Sequence, residues 1–154
     1  MKLRFGKAHR GWLPTVLEVE GQELRFDVSY IPYDFVSELV AALSGVLGDP
    51  GEYVARICEE PSEHDWRFQS SDSSSVSFRV ISYPSGRRTR SDAEVRAETW
   101  GAPLEIVLPF WRGLQELASR VRAEAYRSHW REPFPFNALD RLTDRVQRAR
   151  TEMP

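Results

Sequence analysis

The feature that most constrains the fold is a series of short segments in which apolar and polar residues alternate. The clearest one covers residues 23–30, where Leu24, Phe26, Val28 and Tyr30 alternate with polar neighbours. Such alternation is typical of a strand that is buried on one face only. Further extended segments are predicted at residues 15–19, 53–58, 65–69, 76–80 and 94–99.

The connectors between these segments are short, and this fixes the kind of sheet. A parallel pair of strands needs a crossover connection of roughly a dozen residues, so short connectors predict an antiparallel meander. Residues 104–108 form a nearly continuous apolar run, which we interpret as another short strand. The serine-rich segment at residues 70–74 is predicted to be a hairpin loop.

Apolar residues spaced three and four apart predict three helices. Asp34 is expected to cap the first helix, which Gly48 ends. Pro109 is expected to begin a long helix that ends near His129, because proline breaks a helix interior. Asn137 is expected to cap the last helix.

Together these elements predict an α+β fold in one domain over residues 1–154. We expect an antiparallel β-meander sheet of about six to seven strands, with three helices packed mainly on one face.

Composition narrows the function classes. The chain has 154 residues and a net charge of −2, whereas domains that bind duplex nucleic acid usually carry a basic excess. Nucleic acid is therefore not the favoured partner. Cys58 is the only cysteine, which fits a reducing compartment. The first residues lack the apolar region of a signal peptide, and no apolar run has the length of a membrane span, so we expect a cytoplasmic protein without membrane contact.

No pattern of reactive residues is recognisable. His9, His64 and His129 lie far apart in the sequence, and none combines with Cys58 in a ligand spacing. The phosphate-binding, dinucleotide-binding and nucleophile-elbow motifs are all missing. We therefore predict no catalytic residue, no metal site and no cofactor.

Two charged connectors are the candidate partner-binding features. The acidic one at residues 59–65 could face a basic partner, although a solvated loop is the simpler interpretation. The basic one at residues 86–90 could hold phosphates or be plain surface. A meander brings both to the same end of the sheet, so we expect them partly to neutralise each other. With nearby aromatic residues, the candidate partner-binding set is Glu59, Glu60, Glu63, Asp65, Trp66, Arg87, Arg88, Arg90 and Trp130.

Four of the five tryptophans divide into two groups. Trp66 shares a strand face with Phe68, which is typical of a core, yet it directly follows the acidic connector. Trp12, Trp100 and Trp130 lie near the ends of elements, where we expect half-exposed rings. Half-exposed tryptophans are enriched at protein interfaces.

Four segments carry a resemblance. Residues 26–32 (FDVSYIP), 63–68 (EHDWRF), 109–112 (PFWR) and 129–135 (HWREPFP) are similar to recurring blocks in small bacterial proteins. Some proteins of that kind are immunity partners of secreted toxins. The resemblance implies a binding role and transfers no catalytic residue.

Three functional hypotheses follow. The leading one is a non-enzymatic bacterial protein-binding domain, an immunity protein that neutralises a toxin by occlusion. The alternative is a small enzyme or small-ligand-binding domain with a pocket between sheet and helices. There, His64 or His129 would be the base, and Asp65 or Glu132 would orient it. The third hypothesis is a homo-oligomer whose exposed aromatic residues form the self-interface.

Overall fold

The computed structural model describes residues 1–152 and confirms the predicted α+β class with an antiparallel meander. Within these residues, seven strands follow one another in a single sheet, and each strand pairs with its sequence neighbours. The strands are β1 (Lys2–Phe5), β2 (Trp12–Val19), β3 (Gln22–Ser29), β4 (Gly51–Cys58), β5 (Glu63–Ser70), β6 (Val76–Tyr83) and β7 (Glu94–Gly101).

Four helices are described where three were predicted: α1 (Phe35–Val46), α2 (Pro103–Arg120), α3 (Ala123–Trp130) and α4 (Phe136–Glu152). Asp34 caps α1 as expected, because its side chain accepts a hydrogen bond from the Ser37 backbone N–H. Asn137, in contrast, is the second residue of α4 rather than its cap.

The region around Pro109 was predicted wrongly. Residues 104–108 belong to α2, and Pro109 lies inside that helix instead of beginning it. Pro103 occupies the first turn, where a missing N–H costs nothing. Leu104, Val107 and Phe110 repeat at helical spacing and are buried, so their packing outweighs the hydrogen bond that Pro109 cannot donate. A short apolar run does not distinguish strand from helix by periodicity alone.

The core lies between one face of the sheet and the helices. Alternate strand side chains point inward, and the large rings Trp66, Phe68 and Phe78 meet Phe110 of α2 and Phe35 of α1. All of these contacts are edge-to-face or tilted, with ring centroids 4.9–6.2 Å apart. The opposite face of β5–β7 carries polar and partly exposed side chains such as Arg79 and Glu98.

The sheet is split between β3 and β4, which pair only at Ser29 and Cys58. At the split, two carboxylates accept hydrogen bonds from backbone N–H groups of the strands. Glu38 of α1 accepts from the Arg56 N–H at 2.8 Å, and Glu59 accepts from the Asp27 N–H at 2.7 Å. These carboxylates therefore satisfy two strand donors at the split, where β3 and β4 do not pair.

Candidate functional site

The acidic and basic connectors do meet at one end of the sheet, through Arg88. Its guanidinium donates to Glu63 and to Asp65, and it lies 5.3 Å from the ring centroids of both Tyr33 and Tyr83. Asp65 has a side chain that is only 5% exposed. The expected mutual neutralisation of the connectors is therefore carried by one arginine.

The Asp65 carboxylate accepts hydrogen bonds from three side chains of this chain. Besides Arg88, it accepts hydrogen bonds from the Tyr83 hydroxyl and from Arg67 Nη2, both at 3.1 Å. Burial raises the pKa of Tyr83, and the Asp65 charge raises it further. Burial alone would lower the pKa of Arg88, but the bonds and charges of Asp65 and Glu63 raise it above its usual value. Asp65 is thus a structural anion rather than a free docking group.

Glu59 is also used internally. Its two carboxylate oxygens accept from the Asp27 N–H and pair with His64 Nε2, each at 2.7 Å. Burial by itself would raise the pKa of Glu59, but these hydrogen bonds and the nearby charge of Arg96 lower it below its ordinary value. Glu60 remains exposed and approaches the Ser29 hydroxyl at 3.4 Å.

His64 is the residue that the enzymatic hypothesis singled out. Its Nδ1 lies 2.6 Å from the Ser82 hydroxyl, and its Nε2 pairs with Glu59, not with the expected Asp65. A cleft of about 210 Å³ adjoins the ring and includes Arg96. However, the His64 side chain is 6% exposed and Ser82 is 2% exposed, with both ring nitrogens already bonded. A general base must reach the substrate's proton, so this arrangement suits a structural link between strands better than catalysis.

The other candidate base is His129, which lies at the surface. His129 is exposed, and within residues 1–152 it forms no hydrogen bond or ion pair with Glu132. No group of three or more His, Cys, Asp or Glu side chains in this described part is arranged to hold a metal ion.

Arg87 and Arg90 are exposed arginines of the basic connector. In the part of the chain that the structure describes, neither takes part in an ion pair. They therefore keep their charge available at the surface, unlike Arg88.

Trp66 and Trp130 were predicted to contact a partner, and the structure corrects both. Each ring is fully buried. Trp66 packs among Phe26, Phe35 and Phe78 because its strand position points into the core. Trp130 is the last residue of α3. Its indole N–H donates a hydrogen bond to Asp34, so the polar edge of the buried ring is satisfied.

An exposed apolar pair on β7 was missing from the candidate set. Trp100 is 73% exposed and Val95 is 60% exposed. Trp100 was expected to be half-exposed because it lies near the end of an element. A second sequence signal is the alternation along this strand. Ala97 and Thr99 point inward, so Trp100 points outward.

Comparisons with known proteins add little. No protein-family model matches the chain, and no curated protein matches it. Among solved structures, it is similar to a chain of the CdiA-CT/CdiI toxin and immunity complex from Enterobacter cloacae, with a TM-score of 0.48 and 12% identity. The match covers 74% of this chain and 97% of that chain. A likeness at this level assigns neither fold family nor function.

Within residues 1–152, none of the helices combines the length and the apolar character that a membrane span requires.

Proposed function

We propose that this chain is a bacterial protein-binding domain and that it contacts its partner along β7 and the loop before it. The observation that carries the proposal is the exposure of Trp100, at 73%, on a strand that also exposes Val95, at 60%. Tryptophan is among the residues most enriched at interface hot spots.

The surroundings of Trp100 suit an interface. Across the sheet it faces Ser77, which in turn faces Gln69, so an apolar ring lies among small or neutral polar neighbours. Nearby, Arg79 and Glu98 pair with each other at 2.7 Å and leave no net charge. An apolar centre inside a polar rim is the usual anatomy of a binding patch. Burial of the ring would contribute about 2–4 kcal/mol to a complex.

β7 also leads directly from the exposed Arg87 and Arg90. The strand has eight residues and so extends for roughly 25 Å. A partner lying along this strand would meet the two arginines at one end and Trp100 at the other. The acidic residues expected at the contact are less suitable, since Glu59, Glu63 and Asp65 already bind groups of this chain.

Within this class, we propose an immunity protein of the cytoplasm that neutralises a toxin by covering it. The proposal is supported by the resemblance of residues 26–32, 63–68, 109–112 and 129–135 to blocks in small bacterial proteins that include immunity partners. Occlusion requires a rigid surface and no reactive group, which agrees with a sheet face as the binding element.

The experiment compares three immobilised proteins: the unaltered chain, Trp100→Ala, and the control Ile31→Ala. Ile31 is 48% exposed and lies outside β7. We expect a protein from the native bacterial extract to bind the unaltered chain and Ile31→Ala, and to bind Trp100→Ala at least about tenfold more weakly. Co-expression should then show that the unaltered chain suppresses the toxicity of the captured protein, and that Trp100→Ala does not.

Two results would contradict the proposal. Equal capture by Trp100→Ala would remove β7 from the interface. Retention of only the chain itself, with dimers in sedimentation that dissociate in Trp100→Ala, would favour the homo-oligomer instead.

A further inference from the structure

The loop between β6 and β7, residues 84–93, is attached to the rest of the chain by few bonds. At its start, the Ser62 hydroxyl of the acidic connector donates to the Pro84 carbonyl at 3.2 Å. From residue 87 to residue 93, in the part of the chain that the structure describes, Arg88 alone forms hydrogen bonds or ion pairs with groups outside the loop.

The other polar groups of this loop bond to one another. The Asp92 carboxylate accepts from both the N–H and the hydroxyl of Ser85, at 3.0 and 2.7 Å. The Thr89 N–H donates to the Arg87 carbonyl at 2.8 Å. These short-range bonds shape the loop without holding it against the sheet. The attachment of its tip therefore depends on Arg88.

The Arg88 guanidinium is held by two carboxylates and two aromatic rings. Its Nε donates to Glu63, its Nη1 donates to Asp65, and its Cζ lies 5.3 Å from the ring centroids of Tyr33 and Tyr83. A cation at this distance is attracted by the negative face of each ring. A planar guanidinium can bond to two carboxylates through different nitrogen atoms at once, which a single ammonium nitrogen cannot do. We call the side chains of Tyr33, Glu63, Asp65 and Tyr83 the guanidinium seat.

Bonds that do not involve Arg88 hold the seat together. The Tyr83 hydroxyl and Arg67 Nη2 both donate to Asp65 at 3.1 Å, and the Tyr33 hydroxyl donates to Glu63 at 3.4 Å. The side chains of Asp65 and Glu63 are 5% and 16% exposed. The seat therefore keeps its shape and two largely desolvated negative charges when the arginine leaves, and charges attract a ligand more strongly where water is excluded.

We infer that the seat is a guanidinium-binding site whose ligand in the free chain is Arg88, and that Arg88 thereby latches the tip of the loop to the end of the sheet. A separate molecule that carries a guanidinium takes the same place once Arg88 is absent. The loop then has a latched state and a released state. Arg87 and Arg90 lie on either side of the latch, so it also sets where their charges lie. The use of those charges by a partner rests on the proposed function.

The first test empties the seat with Arg88→Ala and offers methylguanidinium as the probe. Methylammonium is the control, because it has the same charge without the planar fork. Binding is measured by amide chemical shifts of Glu63, Asp65 and Tyr83 in isotope-labelled protein. We expect Arg88→Ala to bind methylguanidinium with a dissociation constant on the order of 1–10 mM, and methylammonium at least about fivefold more weakly. The unaltered protein should not bind either compound at these residues, because Arg88 fills the seat.

The second test measures the latch by the mobility of the loop. Backbone order parameters of residues 87–93 should fall from about 0.85 in the unaltered protein to below about 0.6 in Arg88→Ala. Methylguanidinium should leave them low, because it fills the seat without being joined to the loop. Arg87→Ala is the matched control. Arg87 is exposed and forms no ion pair among the described residues, so this variant should keep the order parameters and bind no probe.

A measurement on the unaltered protein keeps the inference testable if Arg88→Ala does not fold. The Nε–H of Arg88 is bonded to Glu63, whereas Arg87 and Arg90 are exposed. Hydrogen exchange with water at the Arg88 Nε–H should therefore be at least about tenfold slower than at the other two. Equal exchange at all three would mean that the guanidinium is not held, and would overturn the inference.

Three further results would overturn it. These are methylguanidinium binding that is no tighter in Arg88→Ala than in the unaltered protein, equal binding of methylammonium, and a loop that stays as ordered in Arg88→Ala as before. None of these measurements involves a partner or Trp100, so this inference and the proposed function succeed or fail separately.

Discussion

For single residues, the hydrogen-bond partner decides what a buried polar group contributes. Trp66 and Trp130 are equally buried, at 0% exposure. Trp130 Nε1 donates to Asp34 Oδ1 at 3.1 Å, whereas Trp66 Nε1 has no partner within residues 1–152. The two tryptophans therefore form a matched pair in which only one indole N–H is satisfied.

We predict that Trp130→Phe lowers the free energy of unfolding by about 1–3 kcal/mol more than Trp66→Phe. Both changes remove similar volume from the core. Only the first breaks a hydrogen bond and leaves Asp34 without that donor, while the second removes an unpaired buried donor. Urea unfolding of the two variants measures the difference, and an equal or larger loss for Trp66→Phe would contradict the prediction.

Glu59 provides a pH-dependent test at the same scale. Its lowered pKa means that its contribution to stability is fully present above the ordinary value of 4.5 and is lost as the pH falls through the folded-state value. Glu59→Gln should therefore cost about 1–3 kcal/mol at pH 7, and this difference from the unaltered chain should shrink below pH 4.5. Thermal or urea unfolding as a function of pH measures it.

Glu60→Gln is the control for that series, since Glu60 is exposed and should change stability by less than about 0.5 kcal/mol at any pH. A Glu59→Gln cost that stayed constant down to pH 3 would show that the carboxylate charge is not what stabilises the split sheet.

Among the elements, α2 approaches the backbone of β1 closely at Gly113. Gly113 lies where a Cβ atom would be 2.8 Å from the Leu3 carbonyl oxygen and 3.0 Å from Leu3 Cβ. A glycine in the middle of an 18-residue helix normally costs about 1 kcal/mol relative to alanine. Here it permits the helix to pack directly on the strand, which buries Leu3 and Leu114.

Gly113→Ala should therefore destabilise the protein in spite of its better helix propensity. Overpacking against a backbone oxygen costs about 1–3 kcal/mol, which exceeds the gain of about 1 kcal/mol from propensity. Differential scanning calorimetry should show a lower Tm. Arg112→Ala, on the exposed side of the same helix, should leave the Tm almost unchanged. A rise in Tm for Gly113→Ala would mean that α2 shifts freely away from β1.

In the molecule as a whole, one hydrophobic cluster joins both parts of the split sheet. It includes Leu17 and Phe26 from β2 and β3, and Ile57 and Phe78 from beyond the split. Side chains from α1, α2, α3 and α4 belong to the same cluster. The parts of the sheet thus share their buried surface although they pair at a single position.

We predict that the protein unfolds in one cooperative transition, as one domain does. Tryptophan fluorescence reports on the core through Trp66 and Trp130, and far-ultraviolet circular dichroism reports on sheet and helices together. Their urea midpoints should coincide. Separate midpoints would mean that β1–β3 and β4–β7 unfold independently and would contradict the single-domain prediction.

The sequence by itself determined the class of fold. Alternation of period two and short connectors are local properties, and they fix an antiparallel meander because they decide which side chains share a face and which strands can be neighbours. The spacing of apolar residues likewise predicted the position of α1, and Asp34 as a capping residue marked where that helix begins. Connector order even predicted that the acidic and basic segments meet.

Only the tertiary structure decided which residues remain at the surface. Trp130 and Trp100 both lie near the ends of elements, yet the first is buried and the second is exposed, because burial depends on segments that pack from distant positions in the chain. The same holds for Asp65 and Glu59, whose charges are taken up by Arg88 and His64. Pro109 lies inside a helix for the same reason. The long-range packing of Phe110 and its neighbours outweighs the local tendency of proline to end a helix.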